Sequence, residues 1–564
     1  MNNSSSAGRK DRIWPFEWIS LIVLFLVAGS IGHDPWKLHE PYVFGVIYHF
    51  FTTHSWLIPI DADKPFMEKP PLYHWTGAVF CSLFGSILPL HDAARLASAF
   101  YTAFTALFMW KSSQLLFAAR SECKMLGWIS IALLLGQIGV ATDIHQLRTD
   151  VPLLTGTTIA IYGMALLGCM PQHWIKAGIW TGLGFSITLM SKGLFMPITL
   201  ILSGILLWRV LPSLHNQNTW RALKVAFLVA LPCVTIWPAL VCLHSPALFM
   251  EWFWDNNVGR FLGFSVPRLG AANHRHDLAF SLLKNTFPAL PLACMLFITE
   301  KREWHSMEYM LPISIIITGL FLLILSATGH ACYILPLMPC FALLAAPVML
   351  ELSESFLSCW NLGIRILTSV AVAGIWLLWL YLRHASDIAI FQPLKHLINA
   401  SFSLDLAAPE QTFACAAAIA MALLWLVSLR LTSRSALNTA YIWLAATGLL
   451  WVTMALFLPW QNEKISYRGT LMQMVQIVQQ FPGEHNCVEI SSYDELISPM
   501  FQYMAEPLLP KRKDGETCPF LFIATDSISS PVGPQWHLIW KGARPDKEDE
   551  MRLYQANDTA SVVP

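Results

Sequence analysis

The residues of this chain best suited to chemistry are carboxylates and lysines set at the ends of long apolar stretches. Asp34, His39 and Glu40 follow the first such stretch, and Glu68 and Lys69 stand just before Pro70-Pro71. Asp150 opens an apolar run in TDVPLL, and Lys192 closes another in SKGLF. Ionisable groups near a bilayer core are costly to keep and are functional candidates for that reason. Two lysines and several carboxylates at one depth suit a lipid phosphate. The cations would neutralise its oxygens and hold negative charge as it departs, while a carboxylate or histidine would take the proton of an attacking hydroxyl. Each group also has a plainer reading. A lysine can snorkel to the membrane surface, and the polar residues of 33–75 suit a membrane interface.

The elements that must position these residues are read from composition. Of 564 residues, 55% are hydrophobic and 13% charged, where a soluble domain carries about 25% charge. Apolar runs of bilayer-crossing length recur near 17–32, 93–117, 125–142, 151–169, 176–191, 194–210, 223–243, 281–298, 311–327, 333–350, 364–383, 411–429 and 438–459. The first follows Arg9, Lys10 and Arg12 without a small-residue cleavage site, so it reads as an uncleaved span. One further apolar stretch, 72–88, decides the topology. If it lies along the surface, the basic clusters at Arg9/Lys10/Arg12, Arg120/Lys124, Arg209/Arg221/Lys224, Lys301/Arg302 and Arg430/Arg434 all face the cytoplasm, as the positive-inside rule requires. The sequence therefore predicts an all-α polytopic membrane protein of about thirteen spans with membrane-parallel juxtamembrane helices. Its N-terminus is cytoplasmic and its C-terminus outside. Residues 1–460 form the membrane domain, with 33–92 as the first outer loop, and 461–564 a small extracytoplasmic α/β domain.

In that tail, Leu471, Met474, Val475 and Val478 mark an amphipathic helix over 465–480. Strand-like runs follow at Cys487–Ile490, Phe520–Ala524 and Trp536–Trp540. Cys487 and Cys518 are its two cysteines, and an oxidising compartment would let them pair. Net charge is zero and no basic run is present, which argues against nucleic acid. No Walker A loop or strand-borne GxGxxG calls for a nucleotide cofactor. No internal repeat is evident, which weighs against many transporter folds.

PFMEKPPLYHW, the TDVPLL step, GLGFSITLMSKG and SATGHACYILPLMP, in this order over residues 14–350, resemble the GT-C superfamily of membrane glycosyltransferases. The protein O-mannosyltransferases and the bacterial 4-amino-4-deoxy-L-arabinose transferases of lipid A are the most similar branches. The resemblance implies a polyprenyl-phosphate-linked sugar donor, of the undecaprenyl-phosphate type, within membrane lipid. It implies a lipid A-like glycolipid or other envelope acceptor, such as a protein, and a multi-pass protein of the bacterial inner membrane with a periplasmic tail. By direct attack the transfer inverts the anomeric carbon. Lys69 and Lys192 would hold the donor phosphate, with Tyr333 adding a hydrogen bond. Asp150 would stand in the catalytic cavity. The family's acidic pair after the first span is here His39-Glu40, so Glu40, Asp34 or His39 itself would act as base. Glu68 and His274, with His276 nearby, would bind a divalent metal, zinc or magnesium. The chain departs from the family again at Pro41-Tyr42, in place of an arginine, and at His330, in place of a basic residue. A transporter or lipid flippase is the alternative, although it gives no reason for Lys and carboxylates clustering on one face.

Overall fold

A computed structural model describes residues 14–36, 39–269, 275–298, 304–384, 412–431, 434–481, 486–491, 493–511, 517–524, 533–544 and 550–557. Apolar chain in lipid must satisfy its backbone internally, and these segments are accordingly helical. Among the described residues, six helices are long and apolar enough to cross a bilayer: Asp150–Cys169, Gln217–His244, Met307–Leu325, Cys332–Glu351, Glu354–Arg383 and Ala436–Ile465. A seventh is counted if Asp277–Asn285 and Ala289–Met295, bent by 87°, are one span. Shorter apolar helices occupy Pro15–Val27 (α1), Cys123–Leu135, Phe195–Val210 and Ala414–Ser428. Two expected spans are thus interrupted. The stretch 125–142 breaks after Leu135, where the Gln137 side chain donates to the Met338 carbonyl at 3.1 Å. The stretch 281–298 bends beside Pro288, which has no N–H to continue a helix.

The segment 33–92 is built from three pieces. Helix α2, Glu40–Thr53, has Pro41 in its first turn and ends at His54 in a left-handed conformation. A short hairpin follows, β1 (Ile60–Asp61) paired antiparallel with β2 (Lys64–Pro65). Pro70-Pro71 then starts α3, Leu72–Phe84, the stretch expected to lie on the membrane surface. Helix α4, Leu90–Leu116, leads back into the bundle.

The C-terminal unit is an α/β layer, as expected. Its helix Arg468–Gln480 buries Leu471, Met474, Val475 and Val478. Its sheet has the order β3-β4-β6-β5, with β3 (Val488–Ile490) parallel to β4 (Phe520–Ala524). Strands β5 (Trp536–Gly542) and β6 (Met551–Ala556) complete it by antiparallel pairing. Strand β6 and the helix Ile497–Met504 were not anticipated from the sequence. Cys487 and Cys518 form a disulfide, consistent with an oxidising side of the membrane.

This unit does not close its core alone. Phe44, Ile47 and Phe50 of α2 share one buried cluster with Leu471, Met474, Met500 and Phe501. At the same junction the fully buried Asp61 accepts a 2.7 Å hydrogen bond from the Tyr493 hydroxyl, and the Lys64 ammonium lies over the Tyr493 ring. Burial pushes the Asp61 carboxyl up to about 8; the Tyr493 bond opposes this, and the charges of Glu495 and Asp494 add to it. Because the folded value is raised, the stabilisation from a protonated Asp61 is full below the ordinary carboxylate range and is lost as pH rises through about 8. Asp61→Asn should flatten that dependence. Thermal unfolding between about pH 5 and 9 will check it, since the wild type should melt lower at the alkaline end and the variant should not.

Candidate active site

Asp150 and Lys192 meet because two helices form an antiparallel hairpin. Asp150–Cys169 and Trp174–Lys192 are joined by a single turn, Pro171–His173, at the opposite end. Gly156 and Gly184 let them pack backbone to backbone, where any Cβ would strike the facing main chain. The first residue of one helix therefore lies beside the last residue of the other. An acid at a helix N-terminus and a lysine at a C-terminus both suit the helix dipole. The Lys192 ammonium donates to Asp150 at 2.5 Å and sits 4.0 Å from the centre of the Tyr333 ring. Gly193, at φ +89°, then turns the chain where the Asn257 side chain presses in and accepts from the Leu194 amide at 3.0 Å.

Lys69 arrives from the turn before α3. Its ammonium donates to the Tyr42 hydroxyl at 2.9 Å and lies 3.5 Å from Glu68. Tyr42 also bonds His39 Nδ1 at 2.8 Å. Glu68 is held in turn by Arg260 at 3.0 Å. Burial would raise the Glu68 carboxyl, but the charges of Lys69 and Arg260 hold it down at about 2. His39 faces the whole group. Burial first, then the positive charges of Arg148, Lys69 and Lys192, hold its imidazole at about 3 against the pull of Asp150. His39 is therefore neutral at ordinary pH.

The structure thus brings together Lys69, Lys192, Tyr333, Asp150, Glu68 and His39. It adds two cations that sequence reasoning missed. Arg148 pairs with Asp143 at 2.6 Å and lies 3.5 Å from Asp150. Arg260 comes from the short helix Arg260–Leu262. Arg148 stood two residues before Asp150, and that proximity was the signal available. Arg260 had no local signal.

Two other candidates lie outside this cluster. Glu40 is fully buried, where it accepts from Arg95 Nε at 2.9 Å and from the Leu147 amide at 3.0 Å. Arg95 in turn donates to Asp92 at 2.7 Å and to the His33 carbonyl at 2.8 Å. Asp34 is paired with Arg468 of the C-terminal helix, its shorter contact being 2.6 Å. Burial raises the Asp34 carboxyl, and the bond and charge of Arg468 more than reverse this, to about 2.

His274 lies outside the described residues, as does the side chain of His276. Among the described residues no group of three His, Cys, Asp or Glu side chains is arranged to hold a metal. Glu68, the expected carboxylate ligand, lies 3.5 Å from the Lys69 ammonium and 3.0 Å from Arg260.

A helical bundle with a cation cluster at one set of helix ends and a small C-terminal α/β unit is a fold shared with ArnT from Cupriavidus metallidurans. A family sequence model described as dolichyl-phosphate-mannose-protein mannosyltransferase matches residues 68–237. An undecaprenyl phosphate-alpha-4-amino-4-deoxy-L-arabinose arabinosyl transferase of Shewanella sediminis is 25% identical over 343 residues, 59% of each chain. One from Pseudomonas fluorescens is 26% identical over 344 residues, 58% of this chain and 57% of the relative. The chain thus matches less than two thirds of the length of these relatives. The crystal structure of ArnT from Cupriavidus metallidurans bound to undecaprenyl phosphate superposes with a TM-score of 0.66 at 14% identity, covering 99% of this chain and all of that one. Its apo form gives 0.62 at 16% identity, over 96% of both. The resemblance read from the sequence is borne out.

Proposed function

We propose that this protein transfers a sugar from a polyprenyl phosphate, of the undecaprenyl type, to an acceptor at the outer face of a bacterial inner membrane. The observation that carries this reading is the convergence of Lys69, Lys192, Arg148 and Arg260 around His39, Tyr42 and Tyr333. Such a cluster would hold a lipid phosphate diester and become more favourable as the phosphate departs with its full charge. The anomeric carbon–oxygen bond to phosphate breaks, its electron pair stays on the phosphate oxygen, and an acceptor oxygen bonds to the opposite face of the carbon. That route inverts the anomeric centre.

A neutral His39 that resists protonation is a weak base, and Asp150 and Glu68 are occupied by cations. An acceptor that is already ionised, such as a phosphate of a lipid A-like glycolipid, needs no base and suits this site. The names of the curated relatives, which specify an undecaprenyl phosphate aminosugar, support the donor class. Thirteen spans, a cytoplasmic N-terminus and a periplasmic C-terminal unit complete the reading, which the Cys487–Cys518 disulfide supports.

The test is reconstitution. Protein in nanodiscs, given undecaprenyl-phosphate-linked sugars and lipid A, should yield lipid A heavier by one sugar in mass spectrometry. Movement of donor between leaflets without any new glycosidic bond would overturn the proposal in favour of a flippase.

A further inference from the structure

Where the C-terminal unit meets the segment 33–92, the two line an open cleft of 470 Å³. Sites for small organic molecules occupy about 300–1,000 Å³. Its polar walls are Asp34, His91 and Asp92 on the membrane side, and Asn462, Arg468 and Tyr503 on the C-terminal side. Asp34, His91 and Asp92 are only 3, 4 and 2% exposed, and each is held in place. Asp34 accepts from Arg468 and from the Ser466 hydroxyl at 2.8 Å. His91 Nδ1 meets the Tyr503 hydroxyl at 3.0 Å, and Asp92 accepts from the Gly32 amide at 3.0 Å.

The groups left to face a ligand are neutral or already neutralised. Arg468, about half exposed at 47%, retains N–H donors beyond those on Asp34. The Asn462 side chain accepts from the Asp34 amide at 2.7 Å and donates to the Asp34 carboxylate at 3.3 Å, which leaves it one N–H and one lone pair, and the Tyr503 hydroxyl and His91 Nε2 add further capacity. An anion would meet a guanidinium whose charge Asp34 already compensates, with Asp92 behind it. The chemistry is the reverse of the four-cation cluster around His39. Arg95 links the two sites, bonded to Asp92 on one side and to Glu40, which follows His39 in the chain, on the other.

We infer that this cleft is a carbohydrate subsite that receives an uncharged, hydroxyl-rich sugar ring of the acceptor glycan, next to the ring that reacts. The inference rests on the glycosyl-transfer reading and gives the C-terminal unit a part in it: half of the subsite's polar wall comes from that end of the chain.

Saturation-transfer NMR on the full-length protein in nanodiscs tests it, with methyl β-D-glucopyranoside, inorganic phosphate and undecaprenyl phosphate as probes. The glycoside should receive saturation that neither phosphate nor undecaprenyl phosphate displaces. Tyr503→Ala and Asn462→Ala should each weaken glycoside binding about tenfold, the effect of losing one well-placed hydrogen-bonding side chain. Undecaprenyl phosphate affinity should be unchanged in both. If Tyr503→Ala or Asn462→Ala lowers the melting temperature sharply, Tyr503→Phe decides, because it removes only the hydroxyl and keeps the ring packed against Phe44 and Tyr48. Displacement by undecaprenyl phosphate would assign the sugar to the donor site and overturn the inference. Competition by phosphate, absence of saturation, or full binding in the deciding variant would overturn it as well. Failure of the wild type to bind undecaprenyl phosphate would instead count against the transferase reading and leave the cleft result standing.

Discussion

Lys69→Ala and Lys192→Ala are each expected to cut sugar transfer about 10²–10³-fold, the cost of removing one preorganised donor from a developing anion. The protein should remain folded. Losing Lys192 leaves Asp150 with Arg148 at 3.5 Å, and losing Lys69 leaves Glu68 with Arg260 at 3.0 Å. Neither carboxylate is stranded, so neither variant carries the penalty of an unpaired buried charge. Single-turnover transfer of a labelled sugar, beside a melting curve, separates the two effects. Full turnover in both variants would remove the phosphate-clamp mechanism. Arginine at these positions should rescue only in part, since its planar fork cannot occupy the place of a compact ammonium.

A loss of stability is expected from Arg95→Met. The Arg95 guanidinium is fully buried and binds Glu40, Asp92 and the His33 carbonyl together. Removing it takes the guanidinium from two buried carboxylates at once, and breaking a buried ion pair from one side costs about 3–5 kcal/mol. Against a typical folding stability of roughly 5–15 kcal/mol, the variant should fail to accumulate or should melt far below the wild type. Glu40→Gln is the informative companion. Glutamine keeps an oxygen for the Leu147 amide and for Arg95, so the fold should survive. Retained turnover in Glu40→Gln would make Glu40 a positioning strut behind His39. A loss beyond about a thousandfold with an unchanged melting curve would make it the base.

Much of this architecture was legible in the sequence. Apolar runs of span length, the Pro70-Pro71 step and the amphipathic pattern at Leu471, Met474, Val475 and Val478 are local signals. The apolar runs report helix positions because backbone hydrogen bonds in lipid must close within each segment, and the amphipathic pattern does so by its helical period. That Asp150 and Lys192 stand at the same end of consecutive helices was legible too, while their pairing with each other came from the structure. The bend beside Pro288 and the break after Leu135 were not. They depend on what packs against those segments, as the Gln137 contact with Met338 shows. Strand β6 was missed because Arg552 and Gln555 interrupt its apolar character, and its pairing with both β4 and β5 supplies what its own residues do not.

The sequence by itself determined the kind of molecule and the kind of chemistry: a helical membrane protein with lysines and acids gathered at one face. Only the tertiary structure decided which acid belongs to which cation. Asp34 and Arg468 lie 434 residues apart, and Glu40 and Arg95 lie 55 apart. Asp34 thereby lines a second cleft, Glu40 is locked behind the cluster, and Arg148 and Arg260 join the lysines. Helix positions follow from short-range periodicity and the need to satisfy the backbone. A charge in a low-dielectric interior takes the partner that packing brings within reach, and no local pattern encodes that.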